Sequence, residues 1–165
     1  MVYYMKENNK EHLIETNSSP SGEVRRGAIT FNTDGTAMPA INQGRIARRV
    51  CEVAATYEKR VGTINYIFVD DERILEVNRQ FLGHDYYTDI ITFDYTQGRI
   101  LSGDLYISLD TVRTNAEGIR VAYEQELLRV IIHGVLHLCG INDKGPGERE
   151  IMEACENRAL EILST

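Results

Sequence analysis

Long apolar runs are absent from this sequence. No stretch approaches the roughly 20 consecutive apolar residues that a membrane-spanning helix needs. The amino terminus also lacks the basic and then apolar pattern of a secretory signal. These absences argue against a membrane or secreted protein, and we expect a cytoplasmic one.

Cysteine is scarce as well. The three cysteines, Cys51, Cys139 and Cys155, are odd in number and form no Cys-x-x-Cys pair. This is not the pattern of a disulfide framework. We expect reduced thiols that mostly pack against apolar neighbours.

Positive charge is in short supply, because 18 lysines and arginines face 25 aspartates and glutamates, for a net charge of −7. This balance argues against non-specific binding of nucleic acid by the molecule as a whole. Residues 42–60 run against the trend, with five basic and two acidic side chains. The residues alone leave open whether this segment is a solvated helix face or a local binding patch.

The chain divides into two parts. Residues 1–27 are rich in Asn, Ser, Pro and Gly without an apolar period, which predicts a flexible extension. Residues 28–165 are regular and form one predicted domain. Strands are predicted at 28–32, 63–69, 89–95 and 104–108, and helices at 42–58, 70–81, 109–117, 124–139 and 148–163. Four strands and five helices in mixed order predict a layered α/β (α+β) domain.

Two of the four histidines, His133 and His137, lie four residues apart in a predicted helix. Four steps of about 100° leave about 40° between them, so both lie on one face, opposite the apolar arc. Gly140 can end the helix because glycine enters the left-handed conformation without steric cost. The chain can then bring Asp143 towards the imidazoles. Two nitrogens and one carboxylate oxygen are the ligands of a catalytic zinc site, which keeps a fourth position open.

A simpler interpretation is two surface histidines on an amphipathic helix, followed by an unrelated aspartate. The spacing His-x3-His-x5-Asp favours the metal site, because extended zinc signatures also use a glycine turn to deliver a third ligand. We further expect Gly134 and Gly140 to remove bulk around the pair. Zinc is the first choice for mixed imidazole and carboxylate ligands, while nickel, cobalt and manganese stay open.

The residue after the first histidine bears on the reaction. In His-Glu-x-x-His peptidases a glutamate at this position is the general base, whereas this chain has Gly134. A metal still supports hydrolysis of phosphoryl or carbonyl substrates. His84 and Asp85, in a predicted loop beside a strand, could line the same cleft or form a plain polar turn. The general base is not identified.

The run HGVLHLCGINDK, residues 133–144, resembles the signature of the YbeY family of bacterial metal-dependent endoribonucleases. Further matches follow the family's order and cover most of the chain from about residue 28 onward. These matches are Asn78 with Asp85, the run 88–93, the run 102–105, and Met152 with Glu156.

Two positions depart from the family's pattern. The family usually has a third histidine where this chain has Asp143, and commonly an arginine implicated in catalysis where this chain has Leu82. Because a carboxylate can replace an imidazole, the resemblance implies a metal held by His133, His137 and Asp143. Arg79, one helical turn before Leu82, is the candidate that could compensate for the missing arginine.

The resemblance also implies a fold and a function. The implied fold is a single domain with a small mixed four-stranded sheet and a zincin-like metal helix. The implied function is zinc-dependent cleavage of single-stranded RNA, in 3′-end maturation of small-subunit ribosomal RNA and in ribosome quality control. The small ribosomal subunit and its associated proteins are the implied partners.

Two other functions stay open. Leu82 at the arginine position and the acidic balance favour a ribosome-associated factor with weak or no catalysis. A metallopeptidase shares the helical ligand spacing, but the missing glutamate argues against it.

Overall fold

A computed structural model describes the backbone of residues 2–6 and residues 27–164. The strands are β1 (Val2–Lys6), β2 (Ala28–Asp34), β3 (Arg60–Val69), β4 (Ile90–Asp94) and β5 (Ile100–Ser108). The helices are α1 (Gln43–Thr56), α2 (Asp71–Val77), α3 (Leu109–Ile119), α4 (Tyr123–Leu138) and α5 (Glu148–Ser164). A π-helical turn, Asn78–Leu82, continues α2.

Short polar side chains set where the helices begin. The side chain of Asn42 accepts a hydrogen bond from the backbone N–H of Arg45 at 3.0 Å and so caps α1. Asp70 caps α2 in the same way through the N–H of Arg73, at 2.8 Å. Such caps satisfy N–H groups that have no partner within the helix. The helices predicted from residues 42 and 70 onward therefore begin within one residue of those positions.

The strands form one mixed sheet in the order β1-β4-β5-β3-β2. Strands β2, β3 and β5 are parallel neighbours, β4 runs antiparallel to β5, and β1 pairs with β4 in parallel. Every residue of β4 is buried. Its alternate side chains serve two cores, because Ile90 belongs to the larger apolar cluster and Ile91 and Phe93 to the smaller one.

The helices cover the two faces of the sheet unequally. Buried side chains of α1, α3, α4 and α5 share the larger cluster with β2 to β5. On the other face α2 contributes Ile74 and Val77 to the smaller cluster, beside Val69 of β3. Helix α4, with eleven buried residues, is the most deeply placed helix of the larger layer.

Gly134 allows α4 to approach the sheet closely. A Cβ atom at this position would lie 2.2 Å from Cδ2 of Leu105 and 2.9 Å from Cδ1 of Ile90. Both side chains are fully buried. One turn away, the hydroxyl of Tyr66 donates to the carbonyl of Ile131 at 3.1 Å. The expectation that Gly134 removes bulk beside the histidines is therefore wrong, because the space it leaves belongs to the sheet.

The sheet has one strand more than the sequence predicts. The four strands predicted from residue 28 onward and the five helices are confirmed, with boundaries shifted by a few residues. The sheet has a fifth strand, since Val2–Lys6 pairs with β4. Five residues are too few to show a period, and a tertiary contact defines this strand. Residues 7–26, most of the predicted flexible extension, lie outside the described residues.

Other expectations from composition can also be compared with the structure. In the described part of the chain, none of the helices combines the length and apolar character that crossing a membrane requires. All three cysteines are free thiols, as expected. Cys139 and Cys155 pack against the larger cluster, whereas Cys51 is exposed on α1.

Replacing Gly134 by alanine should destabilise the protein by about 1–2 kcal/mol. The added methyl overpacks a filled core, and the free-energy cost of this overpacking exceeds the gain in helix propensity. Gly118→Ala is the matched control, since a Cβ there meets nothing within 4 Å. This control should stabilise the protein by about 0.5–1 kcal/mol. Urea unfolding of both variants measures the two changes, and equal stabilities would contradict the close approach.

Candidate metal centre

The end of α4 is fixed by a Schellman motif at Gly140. This glycine has a φ of 93°. Its N–H donates to the carbonyl of His137 at 2.9 Å, and the N–H of Ile141 donates to the carbonyl of Leu136 at 3.0 Å. This pair of bonds reverses the chain after a helix. The turn directs residues 141–143 back over the last turn of α4, as predicted for Gly140.

The turn brings three side chains together. Nε2 of His133 lies 2.8 Å from Nε2 of His137. Oδ2 of Asp143 lies 3.4 Å from Nε2 of His133 and 3.6 Å from Nε2 of His137. These three residues form a group in which each offers one ligand atom, and the three atoms lie within 4.8 Å of one another. The predicted cluster is therefore present.

The spacing of the three ligand atoms suits a small tetrahedral ion. For bonds of about 2.0–2.1 Å, two ligands of a tetrahedral zinc ion lie about 3.3 Å apart. Both distances from Asp143 are close to this value, and the distance between the two imidazoles is shorter. If the two Nε2 atoms moved apart by about half an ångström, all three distances would fit a tetrahedral ion. The donor set, two imidazoles and a carboxylate, fits a borderline divalent ion.

Both histidines are buried, with relative exposures of 7% and 3%. The sequence places them opposite the apolar arc, and they do lie away from the sheet. The loop after α4 and helix α5 then cover them, through Asp143 and Glu156. The face opposite the core is thus the wall of a cleft.

Without metal, the two imidazoles differ in their pKa values and therefore in their protonation. Burial opposes protonation of His133, but the hydrogen bonds and charges of Asp143 and Glu156 outweigh it and raise its pKa to about 9. Burial lowers the pKa of His137 to about 4, and the neighbouring charge of His133 lowers it further. The hydrogen bond from His133 also holds the pKa of Asp143 below its ordinary value. At neutral pH His133 is therefore the protonated, positively charged imidazole of the centre, and His137 is neutral.

A chain of polar groups on α4 and α5 orients His133. Its Nδ1 donates to Oε1 of Glu156 at 2.6 Å. The other oxygen of Glu156 accepts from Nη1 of Arg129 at 2.8 Å, and Nη2 of Arg129 donates to Asn157 at 2.9 Å. Burial would raise the pKa of Glu156, but the hydrogen bonds from His133 and Arg129 hold it below its usual range. A carboxylate in this position fixes the ring and its tautomer, so that Nε2 faces the centre.

The centre opens into a cleft of ≈ 950 Å³ between α3, α4, α5 and the loop after α4. His133 and Asp143 line it, together with Arg129 and Glu156. Two further acidic side chains, Asp89 and Glu126, line the cleft and are buried. Lys144 and Arg149 line it as exposed cations.

Comparison with known proteins identifies the family. The family model described as Endoribonuclease YbeY matches residues 28–164. The chain belongs to the YbeY family. A Bacteroides fragilis protein named Endoribonuclease YbeY is 67% identical over 133 residues, which is 81% of this chain and 96% of the relative. A Porphyromonas gingivalis protein of the same name is 50% identical over 135 residues, covering 82% of this chain and 89% of the relative.

A solved structure supports the same assignment. The solution structure of a Thermotoga maritima protein matches with a TM-score of 0.61 at 28% identity, and the match covers 82% of this chain and 89% of the other. The single layered domain with its mixed sheet therefore has a known YbeY-type fold. The resemblance seen in the sequence is confirmed.

Three candidate cleft residues lie elsewhere in this YbeY-family structure. Arg79 and Asp85 form an ion pair on the exposed π-helical turn and the loop after it. The ring of His84 stacks on Tyr86, with centroids 5.3 Å apart. Arg79, His84 and Asp85 are outside the residues that line the cleft. Leu82, at the family's arginine position, packs against the smaller apolar cluster.

Two acidic residues of the site received no role from the sequence. In the sequence Glu156 matches the closing helix of the family and Asp89 lies in the run 88–93, and neither position by itself indicates a role. Arg129 is the sequence signal that could have indicated Glu156. It lies four positions before His133, on the same helix face, so that one acidic side chain can bond both residues. No local pattern could assign Asp89, since a chain reversal through β5 and α3 separates it from α4.

Glu156→Gln should weaken metal binding about 10- to 100-fold, because the amide keeps the shape of the side chain and loses the charge that supports His133. Glu161→Gln, an exposed position on the same helix, is the matched control and should bind as the wild type does. Competition titration with a chromophoric chelator measures both affinities. Equal affinities for the two variants would show that Glu156 does not tune the centre.

Proposed function

We propose that this protein is a cytoplasmic metal-dependent endoribonuclease that acts on single-stranded ribosomal RNA. The single observation that carries the proposal is the three-ligand group at the wall of a cleft, in a chain that belongs to the YbeY family. Relatives over most of the chain are named endoribonucleases. The finer roles proposed are 3′-end maturation of small-subunit ribosomal RNA and ribosome quality control, in contact with that subunit and its proteins.

We infer that His133, His137 and Asp143 hold one zinc ion. The mixed nitrogen and oxygen ligands and the tetrahedral spacing support zinc. A bound divalent ion supplies a Lewis acid that stabilises negative charge on a phosphoryl oxygen. Asp143, in place of a third histidine, adds a negative charge to the ligand set. The net charge at the centre is thereby lower than with three imidazoles.

The cleft offers groups that suit a phosphodiester chain. Lys144 and Arg149 are exposed cations of its lining, and they can contact phosphate oxygens near the centre. Arg129 is held by Glu156 and Asn157 and so has a structural role as well. The lining also carries five acidic side chains, so RNA binding at this cleft depends on the charge of a bound divalent ion as well as on these cations.

Cleavage of a labelled single-stranded RNA by the zinc-loaded protein tests the proposal. Asp143→Ala should reduce cleavage by more than about 100-fold, since loss of a ligand exceeds the loss from an outer partner. Asp143→His, which restores the family's usual ligand, should keep activity. Asp34→Ala is the control, because Asp34 pairs with Arg73 on the surface. Equal cleavage by Asp143→Ala and Asp34→Ala would indicate a contaminating nuclease.

Zinc binding at neutral pH should release about one proton for each ion bound. The raised pKa of His133, about 9, keeps this side chain protonated below that pH, whereas the pKa values of His137 and Asp143 are lowered. Affinity should therefore fall as the pH decreases, and proton release should vanish above about pH 10. Calorimetry in buffers of different ionisation enthalpy counts the protons. A count near zero at neutral pH would contradict the proposed distribution of charge.

A ribosome-associated factor with weak catalysis is the second candidate. Leu82 packs into an apolar cluster and Arg79 pairs with Asp85, so neither places a cation in the cleft. Tight binding of small-subunit RNA by the zinc-loaded protein without cleavage would favour this role.

A further inference from the structure

The cleft that opens from the metal centre has two unlike walls. All of the ionisable residues that line it lie outside α3 and the turn after that helix. The remaining wall, the α3 wall, is uncharged and consists of Thr114, Asn115, Gly118, Ile119, Val121 and, from the first turn of α4, Gln125. The metal ligands therefore lie at the charged side of the cleft, and the α3 wall has no part in holding an ion.

Ile119 gives the α3 wall an apolar surface that faces solvent. With a relative exposure of 60%, it is the most exposed large apolar side chain among the described residues. A single exposed side chain of this kind on an open surface needs no explanation. Ile119, however, lines the cleft that holds His133 and Asp143, which is where a ligand is expected to bind. Beside it, a Cβ atom at Gly118 would meet nothing within 4 Å, so a flat group has room to lie there.

Two amide side chains on the α3 wall are available to a polar ligand. Asn115 is half-buried and Gln125 is exposed. Within the described part of the chain, neither side-chain amide takes part in a hydrogen bond. Asn115 shares one face of α3 with Gly118 and Ile119, because residues three and four positions apart are neighbours on a helix. Each amide offers both a donor and an acceptor next to an apolar surface.

The α3 wall is close enough to the centre to contact the same ligand. Gln125, Arg129 and His133 follow one another at intervals of four residues, so they lie on one face of α4. The segment from Gln125 to His133 extends about 12 Å along the helix axis. All three residues line the cleft. An elongated ligand with a phosphate at the centre can therefore contact the α3 wall without leaving the cleft.

We propose that the α3 wall is a subsite for an unpaired nucleobase close to the scissile phosphate, an inference that rests on the proposed function. The two walls match the two chemical halves of a nucleotide, since the charged one suits the phosphate and the uncharged one suits the base. Ile119 packs against the flat face of the base in the space beside Gly118. Asn115 and Gln125 hydrogen-bond to its edge. Single-stranded RNA is recognised through such unstacked bases, by contacts to their faces and edges.

Steady-state cleavage of single-stranded RNA oligonucleotides by the zinc-loaded protein tests the subsite, with each base in turn placed next to the cleaved bond. The wild type should prefer one base at one position by about 5- to 100-fold, the range of a good amide contact to a base edge. The double variant Asn115→Ala/Gln125→Ala should reduce this preference to less than about threefold. Gln80→Ala is the matched control and should keep the preference, because Gln80 is an exposed amide outside the residues that line the cleft.

The apolar contact is tested through KM. Ile119→Ala should raise KM about 5- to 20-fold with little change in kcat, because it removes binding that is equal in the substrate and the transition state. Gly118→Leu should raise KM as well, by filling the space for the base. Ile151→Ala is the matched control and should keep KM, since Ile151 is 59% exposed on α5 and lies outside the described lining of the cleft. Each variant should still bind one zinc ion per chain.

Two results would overturn the subsite. One is a wild type that cleaves RNA with no preference among the bases near the cut. The other is a KM within about twofold of wild type in both Ile119→Ala and Gly118→Leu. Failure of the wild type to cleave any single-stranded RNA would instead refute the proposed function, and the subsite with it.

Discussion

The contact between α4 and the sheet at Gly134 determines where the functional groups of this protein lie. With no side chain at this position, the helix approaches Leu105 and Ile90 directly. The adjoining face of α4, which carries His133 and His137, is then set at a fixed height above the sheet. Since cores are packed as densely as crystals, this height has little freedom. The geometry of the centre thus depends on an apolar contact on an adjoining face of the same helix.

The centre combines local and distant parts. His133, His137 and Asp143 come from one helix and its Schellman turn, whereas Glu156 comes from α5 and Asp89 from the start of β4. The local part supplies the atoms that can hold an ion. The distant part fixes ring orientation and supplies further acidic groups. The family signature at residues 133–144 covers the first part alone.

This division explains how much the sequence could predict. Helical spacing and a glycine stop are local, so the pair of histidines, the end of α4 and the approach of Asp143 were correctly predicted. The starts of α1 and α2 were predicted for the same reason. Burial of the histidines, the contacts of Gly134 and the position of Asp89 depend on pairing between remote segments, which no local period encodes. Arg79, His84 and Asp85 show the same limit, because a polar loop next to a strand does not reveal which side of the sheet it faces. Strand β1 was missed because its partner, not its own composition, defines it.

The Schellman turn has a consequence for the entropy of metal binding. All three ligands lie within residues 133–143, so an ion closes only a short loop whose first half is already helical. The entropy cost of closure grows with the logarithm of loop length and is small here. Neither apolar cluster includes a ligand, and both bring together residues that are far apart in the sequence. Folding and ion binding are therefore largely separate equilibria, unlike those of a zinc finger, whose chain is unfolded without its metal. An ion bound by these three residues would therefore be exchangeable while the architecture persists.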